Sequence, residues 1–149
     1  MPEKETIERA EEDKREGKAP STQAGEFVKE EMDHIREGKH GARSTKQAIA
    51  IGLSKARRAG VELPPPEKGK ASTRTRRQAA RDSRKGKSAG KRRTSPVRSR
   101  VTSRALKREG TKAASRESLS RQAKSSARRR SSASRSRAAK KAAATRKRK

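Results

Sequence analysis

The sequence has no cysteine, a single aromatic residue (Phe27) and two histidines, and only 26% of its 149 residues are hydrophobic. Lack of cysteine excludes a disulfide framework and thiolate metal sites, and fits a reducing, cytoplasmic setting. A packed domain of this length would be about half apolar. So small an apolar complement predicts that burial does not offset ordering entropy and that most of the chain is disordered. No apolar run approaches the ~20 residues of a membrane-spanning helix. Met1 to Lys18 alternates acids and bases without an apolar stretch, so it does not read as a signal peptide. No phosphate-cradling glycine loop or dinucleotide fingerprint is present, and the many serines have no partners for a nucleophilic triad. A non-enzymatic protein without a cofactor is expected. His34 and His40 stand six apart, and Asp33 and Glu37 add to them only a weak ligand set. Exposed helix-end histidines are the favoured reading, and no metal is expected.

What the chain has is positive charge: 45 Lys+Arg against 17 Asp+Glu, a formal +28. It is unevenly placed. Residues 1–67 hold 13 bases and 14 acids, whereas residues 68–149 hold 32 bases and 3 acids. The break falls at Pro64-Pro65-Pro66, which stops a helix and favours extended backbone. The predicted organisation is a charged helix over 1–17, a helical hairpin over 21–60, a Pro-rich linker over 61–67 and a basic tail over 68–149. In fold class this is a mostly disordered protein with a small all-α N-terminal region and a disordered C-terminal tail.

In the first segment Ile7 and Ala10 make only a narrow apolar stripe, so marginal helicity is expected before Gly17. Ser21 or Thr22 is positioned to cap a helix reaching about Glu37, with Val28, Met32 and Ile35 at i, i+4, i+7 beside Phe27. Gly38 and Gly41 punctuate the turn. Ser44 and Gln47 have capping-box spacing, and Ile49, Leu53 and Ala56 continue one face until Gly60. So few large apolar residues make a thin core for ~40 residues. Self-association through Phe27, Met32, Ile35, Ile49 and Leu53 is therefore an expectation, giving a homo-oligomer.

The run Gly25 to Met32, the Gly38-Lys39-His40-Gly41 turn and the segment Ser44 to Arg57 (S-x-K-Q-A-I-A-I-x-L-S-x-A-R) resemble a bacterial family of short basic proteins. That family carries a domain of unknown function, and some members are labelled plasmid stabilisation proteins. The resemblance covers roughly residues 21–60; it implies a small helical module in a bacterial cytoplasm and assigns no catalytic residue. The Ala/Lys/Arg/Ser tail is similar in composition to linker-histone and bacterial histone-H1-like tails.

A charge this large needs a polyanion, and nucleic acid binding is driven by release of its condensed counterions. Membrane anchoring would need an apolar companion to the charge, so no membrane partner is expected. The tail holds 20 Arg and 12 Lys. Candidate phosphate contacts are Arg74, Arg76, Arg77, Arg92, Arg93, Arg98, Arg100, Arg128, Arg129, Arg130, Lys140, Lys141, Arg146, Lys147 and Arg148. Ser95-Pro96-Val97-Arg98 fits a loose S-P-x-R turn pattern of minor-groove binders. Ser115 to Arg129 weakly echoes Ser44 to Arg58 at an offset of 71, a degenerate repeat or shared composition. The expected function is DNA binding and compaction without sequence specificity, in the nucleoid. An RNA- or ribosome-associated protein and an adaptor whose hairpin binds a protein are the alternatives.

Overall fold

The computed structural model describes residues 2–88 and 95–147. Among them the chain forms seven α-helices and one 3-10 turn. They are α1 (Lys4–Arg15), α2 (Pro20–Arg36), α3 (Thr45–Arg58), α4 (Thr73–Lys87), α5 (Pro96–Lys107), the 3-10 turn Lys112–Ala114, α6 (Arg116–Arg128) and α7 (Ser132–Lys147). Contacts divide the chain into two units, Met1–Ala114 and Ser115–Lys149.

The sequence-based helix signals reappear with small shifts. α2 begins at Pro20, ahead of the capping Ser21 or Thr22, because proline at the first turn is already set to helical φ. Ser44 caps α3, its Oγ accepting from the Gln47 N–H at 3.2 Å. The Gln47 amide oxygen in turn accepts from the Arg43 N–H at 2.8 Å, one residue before the cap. Gly38 ends α2 with a left-handed φ of 73°, and the Lys39 N–H closes back on the His34 carbonyl at 3.0 Å. α1, expected to be marginal, is held by polar docking on α2. The Glu3 N–H donates to Glu30 Oε2 at 3.1 Å and Arg9 Nε to Glu26 Oε2 at 2.9 Å, while Thr6 and Ala10 are buried.

The mostly disordered fold class with a disordered tail is overturned. Helices continue to Lys147, and everything up to Ala114 belongs to the first unit. One reason is local. Alanine, arginine and lysine are strong helix formers, and Ser72 and Ser115 accept the Thr75 and Ser118 N–H groups as N-caps of α4 and α6. Ser95-Pro96 likewise opens α5, with proline in the first turn, so this segment is a helix start. The α3 and α6 caps fall at the offset of 71 noted above.

The other reason is the kind of core. Phe27 and Ile35 are fully buried, but the remaining packing is done by small residues: Ala24, Ala48, Ala56 and Ala114 are all at 0% exposure. Glycine permits backbone contact where elements cross. A Cβ at Gly52 would stand 2.7 Å from Val28 Cα, one at Gly86 would collide with the Arg57 carbonyl oxygen, and one at Gly41 with that of Glu109. α3 therefore lies directly on α2, α4 on the end of α3, and the segment after α5 on the α2–α3 turn.

The Pro-rich segment 61–67 is likewise fastened. Val61 and Leu63 pack on the cluster around Phe27. The buried Arg57 donates to the Leu63 and Pro64 carbonyls, each at 3.2 Å, and Arg76 of α4 to the Pro66 carbonyl at 3.2 Å. Asp82, one of three acids after residue 67, is the buried anchor of α4: Ser54 Oγ donates to it at 2.8 Å and Gln78 Nε2 at 3.1 Å. Farther on, Gly41 and Ala42 donate backbone N–H groups to the Leu106 and Gly110 carbonyls at 2.9 and 3.2 Å. Thr45 Oγ1 and Arg36 Nε then tie down the Ala113 and Ala114 carbonyls at 2.6 and 3.1 Å.

Candidate functional site

α4 carries basic residues on the side away from α3. Its buried positions are Ala79 and Asp82. Arg74, Arg77, Arg81, Arg84 and Lys85 are exposed. At 3.6 residues per turn these five fall within about 100° of arc and along roughly 16 Å of axis. Among the described residues no Lys or Arg beyond Lys70 makes an ion pair. Of the ten bases on the first three helices, Arg9, Arg36, Lys55 and Arg58 are ion-paired, as in Arg9–Glu26 and Lys55–Glu30 at 2.9 and 2.8 Å.

Of the candidate phosphate contacts, Arg74 and Arg77 lie in this stripe, whereas Arg76 is half-buried and used on Pro66. Arg98 and Arg100 are exposed on α5. Arg128, Arg129 and Arg130 are exposed at the end of α6 and the turn after it, and Lys140, Lys141, Arg146 and Lys147 are exposed on α7. Arg92, Arg93 and Arg148 lie outside the described residues. Sequence reasoning missed Arg81, Arg84 and Lys85. Their signal was the recurrence of bases at i, i+3, i+7, i+10 and i+11 from Arg74, legible only once the segment is read as a helix. Of the residues assigned to packing or self-association, Phe27, Met32 and Ile35 are buried within the single chain, and Ile49 and Leu53 are half-buried.

A second cluster sits at the end of α2. Glu30 and Glu31 are both buried, at 5% and 0% exposure. Lys55 of α3 reaches Glu30 Oε1 and Glu31 Oε2, each at 2.8 Å. Burial opposes the charge on Glu30, but hydrogen bonds from Lys55, the Glu3 N–H and Thr6 outweigh it, so the carboxyl stays below its usual range. Burial also works against the Lys55 ammonium, and its two glutamates still hold its pKa above the ordinary lysine value. His34 and His40 face this cluster and are not the exposed helix-end residues expected. His34 Nε2 is 2.9 Å from Glu3 Oε1, and His40 Nε2 is 3.3 Å from Glu31 Oε1. Asp33 pairs instead with Arg36 and Glu37 with Lys39.

Residues 5–68 match the model of a family of unknown function, DUF6496. No curated protein and no solved structure matches the chain. Among the described residues no helix is long and apolar enough to cross a membrane.

Proposed function

We propose that the protein binds nucleic acid without sequence specificity, duplex DNA in preference to RNA, through arginine-rich helical surfaces and in a binding rather than a catalytic role. The observation that carries this reading is the exposed stripe of five bases on α4, within a C-terminal part whose described cations beyond Lys70 have no carboxylate partners. Such charge is balanced by phosphates, with counterion release as the driving force. Arginine adds planar, bidentate contacts to phosphate. The major groove admits an α-helix, and phosphate contacts carry no sequence information. Residues 68–149 contain no aromatic side chain to stack unpaired bases, which disfavours a dedicated single-strand reader. A compacting role in a bacterial nucleoid follows from this reading.

The test is a salt titration of binding to duplex DNA and to structured RNA. It compares the full chain with a variant in which Arg74, Arg77, Arg81, Arg84 and Lys85 are all glutamine. Each phosphate contact contributes about 0.9 to the log–log slope, so the variant should have a slope shallower by up to about 4.5. Clear preference for RNA at matched salt would move the protein to the RNA-associated class. An unchanged affinity and slope in the variant would remove α4 from the interface.

A further inference from the structure

Both histidines of the chain lie close to Glu31, a carboxylate that has no exposed surface. Glu31 and His34 are i and i+3 on α2 and so share a face. His40 enters from the loop beyond Gly38. One ligand atom from each of the three lies within 4.8 Å of the others.

The protonation pattern is informative. His40 Nδ1 is 3.1 Å from the Gly41 carbonyl oxygen, which only accepts, so Nδ1 carries the proton. In the neutral ring Nε2 is then a lone pair, and it points at Glu31 Oε1 from 3.3 Å. Two lone pairs at that distance repel unless a cation stands between them. Glu31 is 0% exposed, and among the described residues neither of its oxygens receives a hydrogen bond. Lys55 Nζ, 2.8 Å from Oε2, compensates charge there but approaches outside hydrogen-bonding geometry, and Oε1 is left to the histidine side. A histidine with its distal N–H held by a carbonyl and its other nitrogen aimed at a buried carboxylate is an arrangement suited to a metal ion.

We propose that Glu31, His34 and His40 form a binding site for a borderline divalent cation of the zinc class. Mixed imidazole and carboxylate donors suit such an ion. Bonds of about 2.1 Å place tetrahedral ligands about 3.4 Å apart, so closure asks the side chains to draw in by about 1 Å. The imidazoles, at 14% and 18% side-chain exposure, leave the ion a route from solvent. Glu3 Oε1, 2.9 Å from His34 Nε2 and 3.3 Å from Lys39 Nζ, holds His34 beside the site. Lys55 and Glu30 neutralise one another beside the site. The bound ion would join the C-terminal turns of α2 to the loop into α3.

The absence of cysteine and the presence of only two histidines make the test clean. The full chain, stripped with chelator, is titrated with zinc(II) by calorimetry and with cobalt(II) by visible absorption. The two imidazoles are followed by nitrogen-15 NMR. Expected are one ion per chain, a cobalt spectrum of low coordination number, and displacement of both imidazole signals on zinc addition. His34→Gln and His40→Gln should each weaken binding by at least about 10-fold, while Glu37→Gln, in the same turn but paired with Lys39, should leave it unchanged. Failure of zinc to move either imidazole signal in the wild-type chain overturns the site even if the variants misfold. Zinc binding that persists in the His34→Gln/His40→Gln double variant overturns it too. A doubly protonated His40 indifferent to zinc would show that a proton alone neutralises Glu31.

Discussion

Gly52 is the position at which the small-residue core can be tested most directly. A methyl group there would lie 2.7 Å from Val28 Cα and 3.0 Å from the Phe27 carbonyl oxygen, both backbone atoms, and 3.0 Å from Val28 Cγ2. Restoring ordinary contact requires α2 and α3 to separate by about 1 Å, and overpacking of this kind costs about 1–3 kcal/mol. Alanine recovers up to about 1 kcal/mol of helix propensity over glycine. Gly52→Ala should therefore lose about 1–2 kcal/mol. Gly25, also inside a helix, has no described side chain or neighbouring element within 4 Å of where a Cβ would stand, so Gly25→Ala should gain about 1 kcal/mol from propensity alone. The same substitution thus acts with opposite signs, and the variants differ by about 2–3 kcal/mol. Urea unfolding followed by helical circular dichroism measures both. If Gly52→Ala is as stable as the parent, α3 is not seated backbone-to-backbone on α2, and the account of the core fails.

Gly86→Ala sets a methyl against the Arg57 carbonyl and should release α4. Hydrogen exchange should accelerate in 73–87 with α2 and α3 still protected; unchanged α4 protection refutes the docking. Lys55→Met leaves Glu30 and Glu31 buried without their cation, and loss of one partner of such a pair costs about 3–5 kcal/mol. A thermal unfolding loss below about 1 kcal/mol would mean that water reaches the pair. The Lys18 ammonium is held above its usual pKa of 10.5 by hydrogen bonds to Asp13 and then Glu16. A folded pKa above the unfolded one gives a contribution fully present below pH 10.5 and lost as pH rises through the folded value. Relative to Lys18→Met, the wild type should lose stability on that alkaline arm. The difference should shrink with salt because Lys18 is 42% exposed; parallel pH profiles would disprove the pairing.

Periodicity and punctuation made the two helices of the hairpin legible: Phe27, Val28, Met32 and Ile35 on one, the Ser44 cap on the other, and Gly38 and Gly60 as stops. The docking of α4 was not, because it depends on a missing side chain at Gly86 and on Asp82, a lone acid in a basic segment. Composition averages misled for the same reason. They weigh large apolar residues, whereas Ala48, Ala56 and Ala114 bury fully with little area each and bring backbones together. The histidine cluster was half-visible. Asp33 and Glu37 were the neighbours considered, but i+3 geometry on α2 pairs His34 with Glu31, and Glu3 arrives from a segment that periodicity could not dock.

Order in the basic segment changes what its charge can do. Like charges at i, i+3 and i, i+4 on a helix each cost about 0.2–0.5 kcal/mol, and the α4 stripe contains several such pairs: Arg74–Arg77, Arg77–Arg81, Arg81–Arg84 and Arg81–Lys85. The helix holds these charges together because its other face is fixed by Asp82, Ala79 and the Gly86 contact. α6 and α7 have no buried residue, and α7 spreads its bases over about two thirds of its circumference. A polyanion removes the repulsion in both units, and a ligand that binds the folded helix but not the coil stabilises it by mass action. On α4 the gain goes mainly into affinity, since the helix is ordered beforehand and little ordering entropy is left to lose. On α6 and α7, which are helical but bury no residue, the same relief adds to the stability of helices that have no packed face. On the proposed reading, α4 therefore contributes the part of the surface whose geometry is fixed by packing.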